Sequence, residues 1–158
     1  MNSGISGFSI GHSDIGGYTA VNDPSLPTFL RDSQLLKRWI EMTAFSDPIM
    51  RSHPSNIPDS NFQIWDDIDA IQFLKKFTEI HISLADYKMS LMKEAYELGR
   101  PFTRPLMLHF ESDRVARSLT DQFMLGENIL VAPVFTPDIK SRKVYLPGPA
   151  TWTDMWTG

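Results

Sequence analysis

The sequence has 158 residues, of which 42% are hydrophobic, 22% charged and 11% aromatic, as expected of a soluble globular protein. A formal net charge of −4 argues against binding to nucleic acid or to an anionic membrane. The absence of cysteine excludes disulfides and thiolate metal sites, and no apolar run has the length of a membrane span. No signal-peptide pattern opens the chain, and the compartment is left unknown.

The first predicted element is a short strand. Ile5–Ile10 is an apolar run interrupted by Gly7, and the pair Gly16-Gly17 predicts a turn that closes it. Residues 21–30 contain two prolines and predict a loop.

A helix is predicted next. From Ser33 onwards apolar residues recur at helical spacing, with Ser33 or Asp32 as the N-cap. The apolar positions are Leu35, Leu36, Trp39, Ile40 and Phe45. Pro48 ends this helix, and residues 51–65 form a long polar loop, a kind of segment that often carries function.

Residues 66–98 predict two further helices that meet at Ser83. Gly99 is a suitable residue for ending the second helix, and Pro101 stops it. The mostly apolar stretch Thr103–Phe110 then predicts a strand. Strand, helix, helices and strand in this order predict an α/β fold with a parallel sheet.

The last part of the chain has a different pattern. Residues 128–135 and Lys143–Leu146 are brief β-like runs between proline and glycine turns. No helical pattern follows Gly126, so we expect a second, all-β unit whose boundary lies within residues 111–127.

The chain lacks the common motifs for nucleophilic serine hydrolases, phosphate-binding loops, zinc proteases and dinucleotide binding. Its histidines lack metal-ligand spacing, so no metal or cofactor is predicted; they are His12, His53, His81 and His109. His81 is expected to be half-buried or on the helix surface, and His109 to be a hydrogen-bonded core residue within its strand. His53 lies in the polar loop near Arg51, where it has little packing role, although an ordinary loop histidine is an equal alternative.

Asp14 occurs in GHSDIGGYT, residues 11–19, and its position allows two interpretations. A structural aspartate would cap the following turn through its carboxylate, and the local pattern favours this. A functional aspartate would lie at the carboxyl end of a parallel strand, where such folds place ligand-binding groups. The glycine pair would then let the backbone approach a ligand closely.

Five stretches resemble, in this order, the later catalytic region of glycoside hydrolase family 31: GFSIGHSDIGGYT, RWIEMTAFSDPIMRSH, GRPFTRPLMLHF, LGENILVAPVF and YLPGPATWTDMWTG. That family contains α-glucosidases, α-xylosidases and sulfoquinovosidases. The resemblance implies the last strands and helices of a (β/α)8 TIM barrel over residues 1–115. A linker and the first strands of an all-β sandwich domain are then expected over residues 116–158.

The resemblance implies retaining hydrolysis of an α-glycosidic bond. Such enzymes use two carboxylates about 5–5.5 Å apart, one as nucleophile and one as acid/base. In the family both aspartates precede the segment that resembles GHSDIGGY, so no catalytic residue is expected here. We therefore expect a fragment that is inactive alone, with a carbohydrate as its partner, no cofactor and an oligomeric state that the sequence does not predict.

The resemblance also assigns the sugar-holding side of the pocket. It implies that His53 binds sugar hydroxyls, that Asp14 lies at the pocket rim, and that Arg51 and Trp39 support the pocket. Tyr18 follows the glycine pair, where many α-glucosidases of the family have phenylalanine and sulfoquinovosidases have tyrosine. In sulfoquinovosidases this tyrosine helps to bind the sulfonate, although its hydroxyl could equally face water or a sugar hydroxyl.

The favoured function is therefore that of a sulfoquinovosidase-like α-glycosidase, with α-glucosidase as the first alternative. A carbohydrate-binding relative that has lost catalysis is a second alternative, and both catalytic aspartates upstream would exclude it. A complete non-enzymatic α/β domain is a third. Against the third alternative, closing a (β/α)8 barrel takes about 250 residues.

Overall fold

The computed structural model describes residues 2–158. The α-helices are α1 (Asn2–Ile5), α2 (Ser33–Ser46), α3 (Ile68–Ser83), α4 (Ala85–Leu98) and α5 (Arg114–Ser118). The strands are β1 (Thr103–Pro105), β2 (Phe123–Leu125) and β3 (Ile129–Val131). Short 3-10 helices cover Pro58–Ser60, Ile64–Asp66 and Leu106–Leu108.

Helix α2 confirms the first predicted helix. Its N-cap is Asp32, whose carboxylate accepts a hydrogen bond from the Leu35 amide at 2.7 Å. The C-cap, Asp47, has an extended backbone, as expected of a residue before proline. The apolar face of α2 packs in the main core with residues from the first segment and α3; this core contains Ile15, Leu36, Ile40, Ala44, Phe45 and Phe77.

Helices α3 and α4 confirm the predicted pair and its seam. Helix α3 ends at Ser83, and Leu84 joins it to α4. Gly99 ends α4 in the left-handed region at φ 68°, and its amide donates to the Ala95 carbonyl oxygen. No helix within residues 2–158 is long and apolar enough to cross a membrane.

The three strands form an antiparallel sheet in the order β1-β2-β3. Arg104 lies opposite Met124, and Met124 lies opposite Leu130. The expected parallel pairing is limited, within residues 2–158, to an isolated bridge between Ile15 and Ser52.

The predicted strand over Ile5–Ile10 is wrong. Ile5 ends helix α1, and Gly7 then turns the chain with φ 92°. After this turn the Phe8 amide bonds back to the Ser3 carbonyl oxygen at 3.0 Å, and the Ser9 carbonyl oxygen accepts from the Phe102 amide at 2.7 Å. A strand needs a continuous ladder of such bonds, which this segment lacks among the described residues.

The predicted strand Thr103–Phe110 is correct only at its start. Pro105 has no amide hydrogen to extend the ladder, and the chain turns into the 3-10 helix Leu106–Leu108. His109 is therefore outside the strand, and its buried Nε2 has no hydrogen-bond partner among residues 2–158. Burial and the nearby Arg104 charge lower the pKa of His109, and a hydrogen bond with the Gly126 backbone opposes this shift. The expected hydrogen bond is therefore present, but the expected place within a strand is wrong and the residue is half-buried.

In the last part of the chain, β3 confirms the first β-like run over Ile129–Val131, whereas residues 132–135 are not strand. The predicted strand Lys143–Leu146 is wrong, because the Tyr145 backbone pairs with a side chain. The Tyr145 amide donates to Gln122 Oε1 at 3.0 Å, and Gln122 Nε2 donates to the Tyr145 carbonyl at 2.6 Å. Strand β2 and helix α5 were not predicted, and the domain boundary near residue 116 stays a prediction.

Candidate functional site

Two polar segments lie side by side: residues 11–19, called the first segment below, and the loop after α2, residues 51–65. The Ile15 amide donates to the Arg51 carbonyl oxygen at 2.8 Å, which joins the first segment to the loop after α2. The predicted glycine turn is confirmed, since the Gly17 amide donates to the Asp14 carbonyl oxygen at 2.8 Å. This pairing places the residues of both segments at one edge of the main core.

Asp14 forms an ion pair with Arg51 instead of capping the turn through its carboxylate. Its Oδ1 accepts from Arg51 Nη2 at 2.7 Å and from Arg51 Nε at 3.1 Å, and His12 Nε2 lies 3.5 Å away. These hydrogen bonds, chiefly those from Arg51, hold the pKa of Asp14 below its usual range. Asp14 is therefore an ionised hydrogen-bond acceptor at neutral pH and is unsuited to act as a proton donor.

His53 and Tyr18 form a stacked pair. Their ring centroids are 4.3 Å apart, and the ring planes differ by 30°. His53 Nδ1 accepts from the Ser55 amide at 2.9 Å, which assigns the proton of the neutral ring to Nε2. Tyr18 is 60% exposed, and its hydroxyl has no hydrogen-bond partner among residues 2–158. The pair thus offers two hydrogen-bond donors, the His53 Nε2–H and the Tyr18 hydroxyl.

Trp39 contacts the same segment from helix α2. Its Nε1 donates to Ser13 Oγ at 3.0 Å. Ser13 in turn donates to Asp47 Oδ2 through its amide at 2.7 Å and through its hydroxyl at 3.0 Å. Trp39 and Asp47 therefore hold the backbone that carries Asp14. The structure thus gathers all five residues singled out in the sequence around the first segment and the loop after α2.

Arg31 is a supporting residue that the sequence analysis missed. It is buried, and its guanidinium donates to the His53 carbonyl oxygen at 2.7 Å, the Phe62 carbonyl oxygen at 2.7 Å and Gln63 Oε1 at 2.8 Å. Burial lowers the pKa of Arg31, and the charge of Asp66 partly opposes this. Arg31 therefore ties the polar loop together and fixes the backbone of His53.

Replacing Gly16 with alanine is expected to destabilise the protein through a clash with Arg31. A Cβ at Gly16 would lie 2.5 Å from Arg31 Cδ and Nη1, and the backbone has φ 85°. We expect about 1–2 kcal/mol from the left-handed backbone and about 1–3 kcal/mol more from the clash. Urea unfolding measures the loss in the free energy of unfolding. The measurement uses the longest natural polypeptide that contains these residues, which is called the full-length protein below.

Gly7→Ala is the matched control for this prediction. Gly7 has φ 92°, but a Cβ there would meet nothing within 4 Å. The control therefore carries the backbone strain alone, and an equal loss in both variants would contradict the role given to Arg31.

Two family models match the chain. The model of the glycosyl hydrolases family 31 TIM-barrel domain matches residues 1–91, and that of the family 31 C-terminal domain matches residues 99–158. These matches confirm the expected fold class, a part of a TIM barrel followed by the start of the next domain.

Individual relatives agree with the family models. The chain is 40% identical to a sulfoquinovosidase of Agrobacterium fabrum over its whole length, which is 23% of that protein. It is 31% identical to alpha-glucosidase 2 of Bacillus thermoamyloliquefaciens, again over its whole length and 19% of the relative.

A solved structure agrees as well. A sulfoquinovosidase from E. rectale, in complex with an aza-sugar inhibitor, superposes with a TM-score of 0.86 at 39% identity. The superposition covers 93% of this chain and 21% of that protein. The chain thus spans less than a quarter of these relatives. Because the family's barrel model matches more than half of the residues of this chain, the chain belongs to glycoside hydrolase family 31.

Proposed function

We propose that these residues form the sugar-binding side of a retaining α-glycosidase active site of the sulfoquinovosidase type. The two catalytic aspartates are then supplied by a preceding part of the protein. The observation that carries the proposal is the stacked Tyr18–His53 pair beside the ionised Asp14. Two donors and one charged acceptor at one rim suit the hydroxyls of a sugar.

His53 is the proposed donor to a sugar hydroxyl. Its Nδ1 is occupied by the Ser55 amide, and its backbone oxygen is held by Arg31. The ring is therefore fixed before substrate binds, with Nε2–H as its remaining donor. A donor held in place in this way costs little reorganisation as charge develops on the sugar in the transition state.

Tyr18 is the proposed contact to a sulfonate. A phenol donates one hydrogen bond to an anionic oxygen but cannot neutralise its charge. Arg51 is already paired with Asp14, so the compensating cation has to come from another part of the protein.

The resemblance to two sulfoquinovosidases, at 40% and 37% identity, supports this substrate class. The 31% identity to an α-glucosidase supports the second candidate, a plain α-glucoside.

Tyr18→Phe tests the sulfonate contact, because phenylalanine keeps the stack on His53 and removes only the hydroxyl. We expect kcat/KM for a sulfoquinovoside to fall by about 10–100-fold, the value of one hydrogen bond to a charged group. Turnover of p-nitrophenyl α-glucoside is expected to stay nearly unchanged. Steady-state kinetics of the full-length protein with both substrates measure the difference.

Tyr96→Phe is the matched control, since Tyr96 is 91% exposed on α4. An equal loss on both substrates in Tyr18→Phe would favour a packing role for the ring. A wild-type preference for glucosides would favour the α-glucosidase alternative. Binding without hydrolysis would favour a relative that has lost catalysis.

A further inference from the structure

A buried lysine holds the carboxyl end of helix α2. Lys88 lies on α4 and is only 4% exposed. Its Nζ donates to the Ala44 carbonyl oxygen at 2.7 Å, to the Asp47 carbonyl oxygen at 3.0 Å and to His81 Nδ1 at 2.7 Å. A charged ammonium has three donors, and these three acceptors use all of them.

Lys88 is charged at neutral pH. Burial lowers the pKa of Lys88 to about 8, and the nearby Asp47 charge opposes this shift. Burial and the charge of Lys88 lower the pKa of His81, so this histidine is neutral. Because an ammonium can only donate, the 2.7 Å contact assigns the tautomer in which Nδ1 accepts and Nε2 carries the proton. Helix α2 has no basic residue in its own last turn. The ammonium of α4 therefore supplies the positive charge that a helix carboxyl end favours.

Asp47 connects Lys88 to the candidate site. The Asp47 backbone oxygen accepts from Lys88, and the Asp47 carboxylate accepts from Ser13. Asp47 Oδ2 accepts both bonds from Ser13, the neighbour of Asp14. His12 Nδ1 lies 3.8 Å from the same carboxylate oxygen. A shift of the Asp47 backbone would therefore move Ser13, and with it the carboxylate that pairs with Arg51.

We propose that Lys88 is a positioning residue, which fixes the end of α2 so that Asp47 keeps Ser13 and Asp14 in place. The consequence for sugar turnover rests on the proposed function, whereas the consequence for Ser13 does not. If Lys88 had a purely structural role, replacing it would lower the free energy of unfolding without selectively speeding hydrogen exchange at the Ser13 amide. The exchange rate of that amide with solvent deuterium is therefore the decisive measurement.

Lys88→Met is the first test, because methionine is similar in length and lacks the charge and the three donors. In the full-length protein we expect the Ser13 amide to exchange about 10-fold faster or more. The Tyr145 amide, bonded to Gln122 in the last part of the chain, serves as the unchanged reference. Lys93→Met is the matched control, since Lys93 lies on α4 with its side chain 72% exposed.

The wild-type protein supplies a second test that does not depend on a variant folding. The charged and titratable groups that face Lys88 are Asp47 after α2 and His81 on α3. Carboxylates and imidazoles ordinarily titrate well below pH 8, so Lys88 is the group that changes charge between pH 7 and pH 10. We expect the protection factor of the Ser13 amide, corrected for intrinsic exchange, to fall by about 10-fold over this range.

The outcomes separate this inference from the proposed function. Equal Ser13 exchange in Lys88→Met and Lys93→Met, or a constant protection factor from pH 7 to pH 10, would overturn the positioning role. Faster exchange with unchanged kcat/KM would overturn the link from Ser13 to the site. A wild type without glycosidase activity would refute the proposed function and leave the exchange measurement as the test of Lys88.

Discussion

Replacing His53 with alanine is expected to lower kcat/KM for an α-glycoside by about 10–1000-fold in the full-length protein. The reason is that a hydrogen bond to the sugar that strengthens in the transition state contributes about 1.5–4 kcal/mol. The ring is held by the Ser55 amide at 2.9 Å, so its Nε2–H is oriented before substrate arrives. Steady-state kinetics together with a thermal unfolding measurement test the prediction.

Two further substitutions distinguish the loss of the Nε2–H donor from a change in the structure of the loop that carries His53. His53→Asn keeps an oxygen near the position of Nδ1 that can accept from the Ser55 amide, but it loses the Nε2–H. His53→Gln extends an amide towards the position of Nε2 and can restore a donor. We expect His53→Asn to be as impaired as His53→Ala, and His53→Gln to recover part of the activity. Unchanged kinetics in a well-folded His53→Ala protein would refute the sugar-binding role.

Much of the fold is local enough to be predicted from the sequence. Helix α2 follows from its apolar spacing, its Asp32 cap and Pro48. The seam near Ser83 and the left-handed end at Gly99 follow from the same local rules. These signals act within a few residues, which is why they are visible without tertiary information.

The two failed strands were apolar runs without strand partners. Ile5–Ile10 has β-like residues, but the amides of Ser6, Gly7 and Phe8 bond locally, to the carbonyl oxygens of residues 3 and 4. The Ser9 carbonyl oxygen accepts from the Phe102 amide, about ninety positions away, and within residues 2–158 no strand continues that pairing. Lys143–Leu146 was misassigned because Gln122, a single side chain, takes the place of a neighbouring strand. β-structure depends on distant partners, so composition alone predicts it poorly.

The supporting charges of the site were missed for a related reason. Arg31 and Lys88 bond mainly to backbone carbonyl oxygens 22–44 residues away, and no motif in the sequence marks a carbonyl oxygen. The residues expected to face sugar, such as His53, were found through motif resemblance. The structure adds the contacts that fix them.

The 158-residue chain by itself is expected to hydrolyse no glycoside. A retaining glycosidase needs one carboxylate as nucleophile and a second to protonate the leaving group, and neither family aspartate matches a residue here. Asp14 cannot replace the acid, because its pairing with Arg51 keeps it ionised. We expect no turnover of p-nitrophenyl α-glucoside or of a sulfoquinovoside, with the full-length protein as the positive control.

The surface of the isolated chain predicts a second property, poor solubility or self-association. Phe8 is 69% exposed and Leu35 is 44% exposed, on elements that belong to a barrel in this family. Apolar side chains that lose the barrel surface covering them favour association, which sedimentation of the purified chain would detect. Activity of a monomeric chain that disappears in Asp14→Asn would overturn both expectations, because it would make Asp14 a catalytic residue and the isolated chain an enzyme.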